Sequence, residues 1–321
     1  MRELLKSFNG KTTNVNPSNL KPEYSPDCSD IRLTPNHNLF TRNGFDKVNT
    51  VSFNYPITLI DQIENDGTYY GTYVMGTNMY GFLKDVSVSP IPAGYMRIHN
   101  CEELQAMQDD LTAKYILMND IDCTYCTQDP NGALYNAGAG FMPVGLKSPY
   151  FTGIFDGNGH TITELKISRI GSAAGLFGAA ASGAVIQHVG MIDANIHGQY
   201  NVGAIAGTTS FSTITNCFVT GSVSGTNNIG GICGSFASST INTSYSAAAV
   251  SGISVLGGLT GFDVGSAYND CFWDTQTSGQ ATSGGGTGKT TVEMKQEATF
   301  TNWDFTTIWA IVEDVSYPTL R

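Results

Sequence analysis

The amino-acid sequence predicts an all-β chain whose main body is a right-handed parallel β-helix, or solenoid, and three observations carry that prediction. The first is a repeat. Four glycine-framed apolar blocks, Gly175-Leu-Phe-Gly178, Gly203-Ala-Ile-Ala-Gly207, Gly230-Gly-Ile-Cys-Gly234 and Gly257-Gly-Leu-Thr-Gly261, close at glycines 29, 27 and 27 residues apart. The second is an isoleucine phase inside the repeat: Ile186, Ile214, Ile241 and Tyr268 follow at spacings of 28, 27 and 27 residues. A single unit cannot bury its own apolar side, so stacking would set these residues in one interior ladder at the roughly 4.7–4.9 Å spacing of neighbouring strands. The third is composition. Charged residues are only 13% of the chain while glycine reaches 37 residues, a balance that favours turn-rich strands over helices. A β-propeller blade needs about 40 residues or more, which a period near 27 does not supply.

The elements follow in chain order. Residues 1–92 lack the repeat and hold most of the prolines, with a strand-like run over 67–74; they are read as a small irregular or β region ahead of the solenoid. Residues 87–94 read as the linker. Residues 101–112 carry Leu104, Met107 and Leu111 at helical spacing, so an amphipathic helix is expected there, covering the open strand edges at the N-terminal end of the solenoid. Residues 115–122 are expected to form the first rung and residues 151–162 the next. The solenoid with its helix is bounded at 93–274. The Ser/Gly/Thr stretch over 275–291 reads as a flexible connector. Beyond it, Met294, Phe300, Trp303, Phe305, Trp309 and Tyr317 mark residues 275–321 as an aromatic C-terminal cap.

Charge narrows the function. A net charge of −11 repels phosphate backbones, so no nucleic-acid partner is expected. No stretch approaches the 18 or more apolar residues that would span a bilayer, and a soluble protein without membrane insertion is expected. Residues 1–15 carry no apolar core ahead of a cleavage site, so the sequence reads as lacking a secretory signal. Seven cysteines, an odd number, are read as reduced thiols. The stacking places Cys217, Ser244 and Cys271 in one column, with the two cysteines two rungs apart and out of disulfide reach.

Motifs that could carry chemistry each have a plainer account. Gly286-Thr-Gly-Lys-Thr290 lacks the glycine and the preceding apolar strand that a phosphate-binding loop needs. Cys123 and Cys126 have half a zinc-site spacing, which His99 and Cys101 would have to complete. Asp156-Gly-Asn-Gly159 lacks further carboxylates for calcium and suits a tight turn. The repeat acids Asp193, Asp263, Asp270 and Asp274 do not recur at equivalent positions, as the paired carboxylates of a glycan-cleaving solenoid would. No enzyme is expected, and no catalytic, cofactor-binding or metal-binding residue is assigned. The candidate contacts for a glycan or partner are the aromatic residues Tyr200, Phe211, Tyr245 and Trp273, with Phe262 beside them.

From about residue 100 to the end, these same features resemble the GLUG-repeat family of bacterial and phage surface proteins. The GLFG and GGIC/GGLT blocks carry the likeness, with Phe-Asp-Gly-Asn-Gly-His-Thr-Ile over 155–162, Cys-Phe-Trp-Asp-Thr-Gln-Thr-Ser-Gly over 271–279 and Trp-Asp-Phe over 303–305. The resemblance implies a β-solenoid with an adhesive or structural role. Residues 7–17, 28–33 and 41–49 are similar to the opening of phage tail and virion structural proteins. That similarity implies a virion-anchoring region over 1–92, with Phe8, Asn9, Arg42 and Phe45 in the docking part. The expectation is therefore a tail-fibre or spike-like virion protein, assembled in the host cytoplasm, whose partners are other virion proteins and a host surface glycan. A homotrimer is one form it could take. The alternatives are a bacterial cell-surface adhesin and a polysaccharide-degrading tail enzyme.

Overall fold

The computed structural model describes residues 57–65, 68–75, 78–85, 91–171 and 173–321. Two compact units divide between Pro92 and Ala93. In the first, the strands Ile57–Asn65, Thr68–Met75 and Asn78–Asp85 form an antiparallel three-stranded sheet in sequence order. Residues 68–74 of the Tyr- and Thr-rich run fall on its middle strand. Phe8, Asn9, Arg42 and Phe45 lie outside the described residues.

The second unit is a parallel β-solenoid of about four turns, its strands stacked in four faces. Face A stacks Phe177–Ala181, Ala206–Ser210, Cys233–Ala237 and Thr260–Val264. Face B is longer, running Tyr95–Ile98, Lys114–Leu117, Ile154–Asp156, Val185–Gln187, Thr213–Thr215, Thr240–Asn242 and Ala267–Asn269. Face C runs from Ile121–Asp122 through Thr161–Thr163, Gly190–His197, Phe218–Ser224, Tyr245–Ser251 and Phe272–Asp274 to Thr287–Lys289. Face D stacks Tyr200–Val202, Asn227–Gly230 and Ser254–Gly257.

The predicted ladder is present in register. Phe155, Ile186, Ile214, Ile241 and Tyr268 pair across successive strands of face B, and the first four have no solvent exposure. Each fully buried aliphatic side chain contributes roughly 1.5–3 kcal/mol through removal from water. Face C supplies the opposite wall with Ile162, Met191, Val219, Ser246 and Trp273. The column of Cys217, Ser244 and Cys271 forms as expected: the Cys217 amide donates to Ser244 Oγ at 3.0 Å, and both thiols are free. Burial pushes each thiol up to about 12.

Glycine works here by close approach as well as by turning. A β-carbon at Gly231 would lie 1.9 Å from Ser246 Oγ, and one at Gly258 would lie 1.9 Å from Trp273 Cδ1. The second glycine of each GG pair therefore clears room for the interior residue of face C. At the A–B corner a left-handed column runs Ser182, Phe211, Ser238 and Gly265, with φ of 53°, 53°, 45° and 67°. At the B–C corner a second such column, His188, Asn216, Thr243 and Asp270, is filled mostly by short polar residues that tolerate this region.

Three expectations change in detail. The helix covers Cys101–Ala106 and passes into a tight turn at Met107–Asp109, stopping short of 112. Asp109 and Asp110 oppose the negative end of the helix dipole, and Asp110 Oδ1 instead accepts from the Thr112 amide at 2.9 Å, redirecting the chain. Leu104, Met107 and Leu111 are nonetheless all buried. A strand at Tyr95–Ile98 precedes the helix and pairs with Lys114–Leu117, so the stack begins one rung earlier than residues 115–122. The glycine-rich stretch read as a flexible connector is built into the stack. Thr287–Lys289 pairs in parallel with Phe272–Asp274, and Ser283 Oγ accepts from the Leu259 and Thr260 amides.

The C-terminal aromatic residues lie along the outward side of face C. There Phe218, Tyr245 and Phe272, one per rung, meet Met294, Phe300, Trp303 and Trp309 in one buried cluster. Phe218 and Tyr245 stack at 5.5 Å, Trp303 and Trp309 lie 4.3 Å apart, and Tyr245 Oη donates to the Pro318 carbonyl at 2.7 Å. Phe218 lies against Gly190, where a β-carbon would come within 2.3 Å of its ring. The segment thus clasps the flank of several rungs.

Candidate functional site

The outward side of face B carries a hydrogen-bonding side chain at the third strand position of five successive rungs. Asp156, Gln187, Thr215, Asn242 and Asn269 are consecutive partners in the strand register. Gln187 Nε2 donates to Asp156 Oδ2 at 2.7 Å, Asn242 Nδ2 to Thr215 Oγ1 at 3.1 Å, and Asn269 Nδ2 to Asn242 Oδ1 at 2.8 Å. Strand alternation explains the arrangement, since the middle residue of each three-residue strand points inward and its neighbours point out. The side chains hold one another in place and leave further donors and acceptors facing outward along the rod. After Asp156 the ladder is uncharged.

Phe211 stands at the A–B corner, at the other end of the Thr213–Thr215 strand from the ladder residue Thr215. Its side chain is 67% exposed, and its φ of 53° is one that bulky residues rarely adopt. Its counterparts in the same column are Ser182, Ser238 and Gly265, so this rung alone of the four offers an aromatic ring there.

The sequence-predicted contacts do not form one platform. Tyr200 is exposed on face D and Phe262 on the last strand of face A. Tyr245 and Trp273 are buried, which removes them as contacts for a ligand arriving from solvent. The clasp covers Tyr245, and Trp273 points into the core because Phe272 takes the outward position. The polar ladder, which no motif marks, does leave a signal in the spacing: Thr215, Asn242 and Asn269 are 27 residues apart, a polar repeat as regular as the apolar one.

Three of the four repeat acids, Asp263, Asp270 and Asp274, serve separate structural roles, while Asp193 is exposed. Asp263 accepts from Tyr268 Oη at 3.1 Å, and Asp270 accepts from Asn302 Nδ2 at 3.3 Å. Asp274 is buried; it accepts from the Gln276 and Thr277 amides and from the hydroxyls of Thr277, Thr291 and Tyr317, the last at 2.6 Å. Burial alone would raise this carboxyl, but those hydrogen bonds, led by Tyr317, hold it below its ordinary value. At the B–C corner Asp120 pairs with His160 at 3.3 Å and Asp156 with His188 at 3.2 Å. Asp120 is lowered to about 2, chiefly by the His160 hydrogen bond. Asp156 is also lowered: burial opposes its charge, and hydrogen bonds from His188, Gln187 and the Asn158 amide outweigh that.

These depressed carboxyls give stability a defined pH dependence. A group held below its unfolded value, about 3.9 for aspartate, stabilises the fold above that pH and loses the contribution as pH falls through its folded value. Stability is therefore expected to drop between about pH 4 and pH 2. Asp120 is largely in solvent, where water screens its share, so buried Asp274 should carry more of the loss. Urea denaturation at pH 7, 4 and 2 checks this, with a smaller acid loss expected in Asp274→Asn; equal stability at pH 7 and 2 would contradict it.

Near the N-terminal end of the solenoid, Cys101, Cys123 and Cys126 share one buried cluster, and His99 is engaged by Glu103, its Nδ1 lying 3.0 Å from Oε2. Among the described residues no group of three or more His, Cys, Asp or Glu is arranged to hold a metal ion. The Asp156–Gly159 segment forms a tight turn: the Asn158 amide donates to Asp156 Oδ1 at 2.8 Å and Asn158 adopts a φ of 53°. The Gly286–Thr290 motif lies partly on an edge strand. No described helix is long and apolar enough to cross a membrane.

No family model matches the chain. An alignment over 139 positions, covering 41% of the chain, is 34% identical to Halomucin of Haloquadratum walsbyi, and it spans only 2% of that protein's length. Among solved structures, a protein described as a candidate immunoglobulin A1 protease from Bacteroides ovatus matches 72% of this chain and 93% of its own, with a TM-score of 0.50 and 16% identity. A second structure, titled IgA1 Protease, matches 68% of this chain and 23% of its own at 13% identity and a TM-score of 0.32. At such identity the Bacteroides likeness shows the solenoid fold alone.

Proposed function

We propose that the chain is a surface-presented, non-catalytic β-solenoid of adhesin type that binds a polar polymer, a glycan, along the outward flank of face B. The observation that carries this reading is the in-register ladder of Gln187, Thr215, Asn242 and Asn269, with exposed Phe211 at the other edge of the same face. A sugar chain offers many hydroxyls and apolar ring faces; the amides and hydroxyl suit the first and the phenyl ring the second. The net charge of −11 points the same way by disfavouring polyanions. The stretch shared with Halomucin, a very small part of that protein, supports a modular role in a surface protein. The separate structural duties of Asp263, Asp270 and Asp274 support a binding rather than a cleaving flank.

Glycan-array binding of the full chain tests the proposal. Phe211→Ala and the double change Gln187→Ala with Asn242→Ala are each expected to weaken binding at least ~10-fold, about 1.4 kcal/mol, without loss of the far-ultraviolet β spectrum. Binding that is absent, or unchanged in both variants, would overturn it. Release of reducing sugar from the bound glycan would replace it with the enzyme reading.

A second reading, a virion appendage, rests on the likeness of residues 7–49 to virion structural proteins. Mass spectrometry of purified particles tests it, and absence of the chain from them would remove it.

A further inference from the structure

The thiols of Cys101, Cys123 and Cys126 have no part in the ladder or the clasp. Cys101 opens the N-terminal helix, while Cys123 immediately precedes the short helix Thr124–Gln128 that contains Cys126. Cys101 shares one buried cluster with Cys123 and Cys126, although 22 to 25 residues separate them in sequence. Cys101 and Cys126 also line one cleft of about 210 Å³, together with His99, Glu102, Asp120 and Tyr125. Cys123 does not line it and is fully buried. Two thiols on separate elements of one buried cluster that share one opening to solvent are placed for reaction with a small disulfide.

We propose that Cys101 and Cys126 form a disulfide when the protein meets a low-molecular-weight disulfide, tethering the N-terminal helix to the rung beneath it. The step balances by exchange. One cysteine thiolate attacks the sulfur of oxidised glutathione and releases one reduced glutathione. The second thiolate then attacks the mixed disulfide, forming the Cys101–Cys126 bond and releasing the other. The two cysteine protons and two electrons leave with the two glutathione thiols.

The reaction is slow in the folded protein. Cys101 is raised by its hydrogen bond with Cys123 and by burial, and Cys126 by burial and by the neighbouring Cys101 and Glu102, so few thiolates are present. The consequence is structural. The helix closes the end of the stack, where strand edges would otherwise open first, and a link across residues 101–126 restrains that opening. Glycan binding is independent of this link, since face B's ladder contains none of these residues.

The test incubates the full chain with oxidised glutathione for hours, blocks remaining thiols, and maps peptides without reduction. A Cys101–Cys126 peptide pair is expected, with Cys217, Cys233 and Cys271 unlinked. The thermal midpoint should rise roughly 5–10 °C over the reduced protein, and this rise should vanish in Cys126→Ser. Because Cys126→Ser could perturb folding, the wild-type midpoint after adding reductant to oxidised protein is the second measurement, and it should return to the starting value. Unlinked Cys101 and Cys126, a link between Cys123 and Cys126, a link to Cys28, or a persistent glutathione adduct would each overturn the proposal.

Discussion

Replacing Ile214 with aspartate is expected to unfold the solenoid, whereas Ile214→Val should cost only about 0.5–1.5 kcal/mol. Ile214 has no solvent exposure and sits between Ile186 and Ile241 in the interior ladder of face B. A carboxylate there would sit between two buried isoleucines, and burying an unpaired charge costs several kcal/mol even after relaxation. Together with the lost aliphatic contacts, that approaches the roughly 5–15 kcal/mol by which a domain is stable. The stack amplifies the damage, since each rung is held mainly by its two neighbours. Loss of the cooperative urea transition in Ile214→Asp, with a small midpoint shift in Ile214→Val, is the expected pair of results. A folded, cooperative Ile214→Asp would show that residue 214 does not face the core.

Trp309→Ala is the second large effect, expected to cost about 3–5 kcal/mol. Trp309 is fully buried in the clasp, 4.3 Å from Trp303 and 6.3 Å from the rings of Phe218 and Tyr245. Removing it leaves a void under residues 293–321 and exposes the outward aromatic row of face C. Its Nε1 is buried without a hydrogen-bond partner, so the side chain stabilises by packing alone. Trp309→Phe keeps part of that packing and removes the orphaned donor, and should therefore cost well under half as much as alanine. Thermal denaturation of both variants checks the order; equal losses would assign the indole nitrogen a role it lacks in the structure.

Much of the fold was legible because the strongest signals were apolar and periodic. Ile186, Ile214 and Ile241 recur at the repeat spacing, each flanked by residues that alternate outward, which fixes the strand, its inward side and its register together. The column of Cys217, Ser244 and Cys271 followed from the same spacing. Local pattern was a poorer guide where contacts distant in sequence decide the outcome. Tyr245 does point outward, and only residues 300–318 returning along the flank bury it. Trp273 reads as an exposed aromatic, yet Gly258 opposite it leaves the indole a place inside. The glycine-rich stretch near residue 285 carries no strand pattern; pairing with Phe272–Asp274 orders it.

The candidate site was visible in only one residue, Phe211. The ladder of Gln187, Thr215, Asn242 and Asn269 has the same period as the core, but polar residues in turn-rich sequences are common enough to hide a column. Register reveals it, because stacking converts a 27-residue spacing into neighbouring side chains on one flank.

The most direct test of that flank is a hydrogen-exchange footprint of the full chain with and without a glycan selected on the array. Protection confined to Val185–Gln187, Thr213–Thr215, Thr240–Asn242 and Ala267–Asn269, together with the corner at Phe211, is the predicted result. Protection centred instead on Tyr200 and Phe262, or none on face B, would contradict it.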